Sequence, residues 1–313
     1  MSLRIQLEVT TRCTDNCLFC PRKVIGTNRS LGDMSAEVEQ LFLDRVEEAK
    51  ADLTINFSGF GEPLLYPRCM ELAKEIRNRR PDVKLELNTN GTLLDQDATA
   101  KILWGNDWKN LFDVVQISLS LPTKQLYEKF KSSNYRTVYE NLVNFFRMKG
   151  SNLPIADIRL LHFKQTKDEL RYALLFWPFQ IGRHDALRVA CLENWTGLID
   201  VKPLGIEYGT LMNVCQDLRS NYLTVTKEGR VLACCYSIAL PEGNPFEIGA
   251  LEDDKLGSFL DNKKRLKLLD DQREGIYLKE CQSCSKVRPQ VIGGINNTRY
   301  HHPNWLFEKV RCE

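Results

Sequence analysis

The sequence predicts an α/β fold: a partial, TIM-like (βα)6 barrel followed by a small C-terminal domain. Three observations predict it. Short β-rich runs alternate with helical patterns over roughly the first 205 residues. Six such units occur, too few to close an eight-strand barrel and enough for an open, curved one. Beyond them the alternation gives way to a hairpin, a charged helix and an irregular tail.

The first strand is read over 4–10 (RIQLEVT). A helix follows over 35–50, where Val38, Leu41, Phe42 and Val46 form one apolar stripe and Ser35 takes the N-cap position. The second strand, 53–59 (LTINFSG), leads to a helix over 68–80, and the third, 83–89 (VKLELNT), to one over 97–104. The fourth, 114–120 (VVQISLS), precedes a helix over 137–150. The fifth, 155–163 (IADIRLLHF), precedes one over 167–177, and the sixth spans 186–194 (ALRVACLEN). Such alternation implies right-handed crossovers and a parallel sheet, with functional residues at the C-terminal ends of the strands. The stretch 222–237 then reads as a hairpin turning at Lys227-Glu228-Gly229, followed by a helix over 256–271. These textures place a boundary near 205–214, giving domains of 1–205 and 206–313. No linker or low-complexity stretch separates them, so they are expected to pack together.

Composition narrows the function classes. The 313 residues carry 43 basic and 41 acidic side chains, a net charge of +2, so neither a nucleic-acid footprint nor a membrane-surface patch is expected. No apolar run reaches membrane-spanning length, and MSLRIQLEV is too short and too mixed for a signal peptide. A cytoplasmic location follows, where thiols stay reduced. The chain nevertheless holds 11 cysteines, and an odd count in a reducing compartment argues for metal ligation or catalysis.

Three of them crowd into CTDNCLFC, residues 13–20, just after the first strand. Cys13, Cys17 and Cys20 have the spacing C-x3-C-x2-C. Three thiolates hold three irons of a [4Fe–4S] cube and leave the fourth iron open to a ligand. A zinc site completed by a distant fourth ligand is the alternative.

This motif, with aromatic Phe19 before its last cysteine, resembles the signature of the radical S-adenosylmethionine (SAM) enzymes. Further stretches extend the resemblance. SGFGEPLL (58–65) follows the second strand, and its Gly61, Glu62 and Pro63 match the family's GGEP-like turn, which reads the SAM amino group. Phe60 departs from the glycine common there. LNTNG (87–91) and ISLS (117–120) end the third and fourth strands. They are similar to family stretches that line the SAM ribose and carboxylate, through Asn88, Asn90, Ser118 and Ser120. The resemblance implies that SAM chelates the open iron and is cleaved to a 5′-deoxyadenosyl radical, which abstracts a substrate hydrogen.

Four more cysteines, Cys215, Cys234, Cys281 and Cys284, lie in the C-terminal part. Their pattern, C-x13-G-x4-C and a later C-x2-C, resembles the auxiliary iron–sulfur domain called SPASM in its shortened, Twitch form. It is close to the pattern of family members that dehydrogenate aminocyclitols. The resemblance implies one fully ligated auxiliary [4Fe–4S] cluster, so two [4Fe–4S] clusters and SAM in all. Four thiolates also suit a structural zinc. Of the other cysteines, Cys69 is expected to pack in a helix and Cys312 to lie in the frayed C-terminus. Cys191 and Cys235 are candidates to return a hydrogen atom to a substrate radical.

For the substrate, the resemblance offers sugars or aminocyclitols and ribosomally made peptides. The first cysteine motif begins at residue 13, which leaves no room before it for a leader-binding domain, so a small polyol is favoured. The expected reaction is oxidation of a secondary alcohol to a ketone. Epimerisation, peptide modification and a non-catalytic zinc module are the rivals. Arg159 and His162, with Glu193, Asn194 and Trp195, are candidates to hold the substrate. Arg159 and His162 differ by an odd number, so a regular strand cannot aim both inward. A reductant such as flavodoxin or ferredoxin is the expected protein partner. The histidine pair of TRYHHPNW (298–305) reads as solvated, and the Asn296-Asn297-Thr298 sequon as without meaning in the cytoplasm.

Overall fold

A computed structural model describes residues 2–22, 29–105, 107, 109–150, 154–206, 214–241, 243–288, 298–301 and 308–309. Six strands run in parallel: β1 (Ser2–Leu7), β2 (Asp52–Phe57), β3 (Lys84–Thr89), β4 (Val114–Ser120), β5 (Ile155–His162) and β6 (Ala186–Cys191). Between them lie α1 (Ala36–Glu48), α2 (Cys69–Arg79), α3 (Gln96–Trp104), α4 (Lys124–Phe130), α5 (Tyr135–Lys149) and α6 (Leu170–Phe176). Side-chain oxygens start the helices: Ser35 Oγ accepts from Val38 N–H at 3.3 Å, and Asp95 Oδ1 from Ala98 N–H at 2.9 Å. The expected strands therefore appear within a few residues of their predicted bounds. Helix α4 was not anticipated.

The sheet does not stop at β1. Strand β7 (Tyr222–Val225) pairs with it in parallel, Arg4 opposite Tyr222 and Leu7 opposite Val225. Strand β8 (Arg230–Leu232) then turns back on β7, and β9 (Glu247–Ala250) on β8. The β7–β8 turn falls on the predicted residues, with Gly229 at φ +80°, where a side chain would strain the backbone. At the other edge β10 (Thr298–His301) runs antiparallel to β6, and β11 (Glu308–Lys309) to β10. The tail read as irregular thus contributes strands. One sheet of order β11-β10-β6-β5-β4-β3-β2-β1-β7-β8-β9 results. It runs through the boundary expected near 205–214, of which 207–213 lie outside the described residues.

The C-terminal part adds the short helices α7 (Gln216–Arg219) and α9 (Lys279–Gln282) around α8 (Lys263–Arg273). The helix expected over 256–271 is two pieces. A 3-10 segment, Leu256–Asp261, ends at Asn262, whose Oδ1 caps α8 by accepting from Lys264 N–H at 2.9 Å. Among the described residues, no helix is long and apolar enough to cross a membrane.

The period-2 alternation of the strands divides the sheet into two chemistries. One face carries Leu3, Ile5, Leu7, Ile55, Phe57, Leu85, Leu87, Val115, Ile117, Ile158 and Leu160, all buried in one cluster with Phe42, Leu72, Ile76, Ile102, Leu142 and Phe145 of the helices. Each such side chain contributes about 2 kcal/mol by burial. The other face carries Arg4, Gln6, Asn56, Glu86, Asn88, Gln116, Asp157, Arg159 and Arg188. Gln6, Asn56, Glu86, Gln116 and Asp157 are nevertheless buried. They lie on the side away from the helices, so their burial comes from the curl of the sheet and from the C-terminal part.

At the far end of the strands, Lys149 closes α5 inside the protein. Its Nζ bonds both oxygens of Asp185, at 2.9 and 3.0 Å, and both side chains are fully buried. Asp185 also accepts from the N–H groups of Ala156 and Gly182, at 2.8 and 2.7 Å, which ties the starts of β5 and β6 together. Replacing Lys149 by Met leaves a buried carboxylate without its cation. The expected loss is about 3–5 kcal/mol, read as a lower urea midpoint at unchanged slope. A loss below about 1 kcal/mol would show that the other partners of Asp185 satisfy it without the cation.

Candidate active site

The first cysteine loop leaves the C-terminal end of β1. Cys13, Cys17 and Cys20 are each half-buried along it. Residues 130–133 strap the loop in place. Leu18 N–H donates to Phe130 O at 2.9 Å, Asn16 N–H to Ser132 Oγ at 2.8 Å, and Ser133 N–H to Asp15 Oδ1 at 2.9 Å. At the centre of the strap, Lys131 Nζ meets Asp15 Oδ2 at 3.0 Å with both side chains buried. The same Nζ donates to Ser118 O at 3.1 Å and lies 4.8 Å from the centre of the Tyr127 ring. Lys131 thus ties the loop to the end of β4. Phe19 turns into the core and stacks on Phe130, centroids 6.5 Å apart.

Burial pushes all three thiols up, Cys20 to about 11, and for Cys17 the Lys131 cation offsets part of the rise. Two donors reach Cys13 Sγ: Asp15 N–H at 3.4 Å and Asn90 Nδ2 at 3.5 Å. Asn90 Nδ2 also donates to Thr14 Oγ1 at 2.9 Å, so the turn after β3 is held against the cysteine loop.

The turn after β2 fits beneath the same loop. A Cβ at Gly61 would sit 2.1 Å from Thr10 O and 2.7 Å from Arg12 O, so only glycine allows this approach. The close contact is to the chain's own backbone. Glu62 is buried. Its Oε1 accepts from Leu64 N–H at 3.2 Å and its Oε2 from Asn90 N–H at 2.7 Å. Burial raises its pKa to about 7 against the lowering effect of these bonds and of Lys131. Pro63 opens the following 3-10 turn. Asn88 Oδ1 is buried without a hydrogen-bond partner. Ser118 offers its carbonyl to Lys131 and, at 3.2 Å, to Ser120 Oγ. Ser120 stands at φ +69°, where the β4–β5 register shifts. Such strained bulges gather at functional sites.

Arg159 lies on the polar face of β5. Burial, then repulsion from Arg188, lower its pKa to about 10, and Asp157, Tyr236 and Glu86 pull the other way. Its Nε lacks a partner. His162 falls on the opposite face, as the odd spacing requires, buried with both ring nitrogens unpartnered. Cys191 is in register with His162 and so also lies on the face turned away from Arg159.

The second cysteine set converges from distant elements. Cys215 precedes α7, Cys234 follows β8, Cys281 lies on α9 and Cys284 just after it. Burial raises each thiol, Cys215 to about 11 and Cys281 to about 12, and Cys234 is also raised by the charges of Cys235, then Cys215, Cys284 and Cys281. The four are near enough to influence one another electrostatically. Cys235 adjoins Cys234 on a 3-10 turn, beside Asp217 and Lys286. No disulfide links the ten described cysteines; Cys312 lies outside the described residues, as do Asn296, Asn297 and His302. Among the described residues, no group of three or more His, Cys, Asp or Glu is arranged to hold a single metal ion.

The loop after β6 staples the segment carrying Cys281 and Cys284 to the barrel. Asn194 Nδ2 donates to Ser283 O at 2.5 Å and its Oδ1 accepts from Ser285 N–H at 2.9 Å. Glu193 pairs with Lys286 at 2.9 Å and accepts from Ser285 Oγ at 2.5 Å. Trp195 packs between Phe60 and Tyr236, at centroid distances of 5.1 and 5.2 Å. Phe60, the departure from glycine, is buried with Leu232, Ile238 and Ala239. It joins the β2 turn to the C-terminal part through a small apolar cluster.

Two sets of soft sulfur donors, one of three and one of four, suit iron–sulfur clusters by ligand chemistry. Comparison with known proteins agrees. The sequence model of the Radical SAM superfamily matches residues 7–176, and that of an iron–sulfur cluster-binding domain, SPASM, matches 215–285. A tungsten-containing aldehyde ferredoxin oxidoreductase cofactor-modifying protein of Pyrococcus furiosus is 33% identical over 178 residues, 54% of this chain and 48% of that one. The chain therefore spans about half the length of that curated relative. In fold it is similar to BtrN in complex with AdoMet and 2-DOIA (TM-score 0.58, 17% identity, 92% of this chain and 94% of that one). It is also similar to anSMEcpe with bound AdoMet and Cp18Cys peptide (TM-score 0.63, 15% identity, 91% and 90%). SAM, a [4Fe–4S] cluster and further iron–sulfur ligation are the cofactors these domains use. The chain belongs to the radical SAM superfamily.

Proposed function

We propose that the chain is a radical SAM oxidoreductase that converts a secondary alcohol of an aminocyclitol or sugar to a ketone. In this reading residues 1–205 form the SAM barrel and 206–313 an auxiliary-cluster domain. Cys13, Cys17 and Cys20 hold the SAM-binding [4Fe–4S] cluster, and Cys215, Cys234, Cys281 and Cys284 hold an auxiliary one. When bound, these groups supply a 5′-deoxyadenosyl radical at the first site and a one-electron acceptor at the second. A flavodoxin- or ferredoxin-type reductant supplies the electron.

The chain's own residues prepare the space between. Lys131 and Asp15 hold the three-cysteine loop against β4. Beyond its bonds from Leu64, Asn90 and Thr89, the Glu62 carboxylate keeps acceptor capacity for the N–H of the SAM amino group. Asn88, Asn90, Ser118 and Ser120 line the ends of β3 and β4 for the rest of SAM.

The observation that carries the substrate class is the polar inner face. Glu86 accepts from Arg4 and, at 3.1 Å each, from Asn56 Nδ2 and Gln116 Nε2. That fixes both amides, and Asn56 Oδ1 and Gln116 Oε1 turn away, buried and unpartnered like Asn88 Oδ1. Buried acceptors left unmatched cost about 1–3 kcal/mol each, so they favour a ligand rich in hydroxyl or amino donors. Arg159, with its unpartnered Nε, supplies a cation to a substrate hydroxyl. Epimerisation is the second reading, favoured by Cys235, which lies outside the four-thiol set and electrostatically close to Tyr222 on the polar face.

Turnover of an aminocyclitol and sugar panel in deuterated water separates the two. Oxidation gives a product two hydrogens lighter. A product of unchanged formula carrying carbon-bound solvent deuterium would overturn it in favour of epimerisation.

SAM affinity should also depend on pH. Glu62 is protonated below its raised pKa of about 7 and accepts best as the carboxylate, so binding tightens as pH rises from 6 to 8. Glu62→Gln should weaken binding about 10- to 100-fold at pH 8 and flatten the profile. Equilibrium dialysis reads both, and equal slopes in the two proteins would exclude Glu62 from the SAM site.

A further inference from the structure

We propose that Gln272 is a positioning residue of the four-cysteine centre, bridging two of its ligands and raising its reduction potential through an N–H···S hydrogen bond. The inference rests on the reading of Cys215, Cys234, Cys281 and Cys284 as cluster ligands.

Gln272 lies in the last turn of α8 and is 3% exposed. Its Oε1 accepts from Cys215 N–H at 2.9 Å, and its Nε2 donates to Cys281 Sγ at 3.4 Å. The first bond fixes the second. Only the oxygen of a carboxamide accepts from a backbone N–H, so the amino group must face the sulfur. One side chain thereby spans two cysteines that are far apart in sequence and arrive on different elements.

Packing alone does not call for an amide here. The adjacent buried positions of α8 are Leu268 and Leu269, and a buried carboxamide is costly unless both of its ends are matched. Both ends of Gln272 are matched, and both partners belong to the same centre. Cys284 Sγ receives its own donor, Lys286 N–H at 3.4 Å, but that is backbone and is common to any sequence at that position. The donor to Cys281 is set by the side chain. Reduction places more negative charge on the ligating sulfurs, so an N–H aimed at one stabilises the reduced state more than the oxidised. The bond therefore raises the potential and makes the centre a readier electron acceptor.

The test uses the full chain with Cys13, Cys17 and Cys20 replaced by Ala, so that one centre is read at a time, reconstituted without oxygen. Its midpoint potential is followed by electron paramagnetic resonance, in that parent and with Gln272→Leu or Gln272→Glu added. Glu keeps the length and the acceptor for Cys215 N–H and removes the amide donor. The expected result is about four irons per chain in parent and Glu variant, with a midpoint more negative in both Gln272 variants than in the parent. If Leu loses its iron, Gln272→Met, which removes the donor without adding a charge, decides. Equal midpoints at equal iron content would overturn the role of Gln272 and leave the ligand assignment standing. A parent that binds no iron would overturn the four-cysteine reading and the inference with it.

Discussion

Strand β1 is hydrogen-bonded on both sides, to β2 of the barrel and to β7 of the C-terminal part. The arrangement of both cysteine sets depends on this double pairing. The three-cysteine loop leaves the end of β1, and the hairpin that delivers Cys234 starts from the strand beside it. A buried ion cluster locks the junction. Arg29 donates to Glu8 Oε1 at 3.3 Å, to Ile238 O at 2.8 Å and to Glu228 Oε2 at 2.6 Å, with Arg29 and Glu8 almost wholly buried. Burying such charges costs about as much as their attraction returns. Its value is in register: a loop from one half, a strand end and a hairpin turn from the other are held to one relative position.

The same sheet explains how a catalytic interior coexists with a stable fold. Helices α1–α6 pack on its apolar face, so much of the stability rests on that side. The other face is free to be polar, and Glu86 organises it by gathering a guanidinium and two amides. The acceptors turned away from Glu86 are oriented by the bonds that their own amide nitrogens make to it. A ligand meets groups already oriented, which lowers the ordering cost of binding. Phe60 and Trp195 close this interior from the C-terminal side through aromatic contact.

Much of this was legible in the sequence because it is local. Period-2 runs gave the six barrel strands, the Lys227-Glu228-Gly229 turn gave the β7–β8 hairpin, and cysteine spacing singled out two groups of candidate ligands. What escaped is non-local or polar. The β1–β7 ladder joins segments more than two hundred residues apart, and no pattern within either strand specifies the other. Asn262 was read inside a helix, whereas its side chain caps the next one. Asp15 stood in plain view between two cysteines, but its partner Lys131 follows a short helix with no strong periodicity. Asn194 was read as a substrate candidate because it follows a strand; its bonds to Ser283 and Ser285, which tie it to the segment carrying Cys281 and Cys284, have no signature in sequence. Gln272 gives no signal in sequence, since its meaning lies wholly in the two groups it touches.

The proposal that these two sets of thiols hold two clusters is tested most directly by counting iron after anaerobic reconstitution and assaying SAM cleavage under a strong reductant. About eight irons per chain are expected, falling to about four when either cysteine set is replaced by Ala. 5′-Deoxyadenosine should be released by the intact chain and lost when Cys13, Cys17 and Cys20 are replaced. Stoichiometric zinc in place of iron, with no cleavage of SAM, would contradict it.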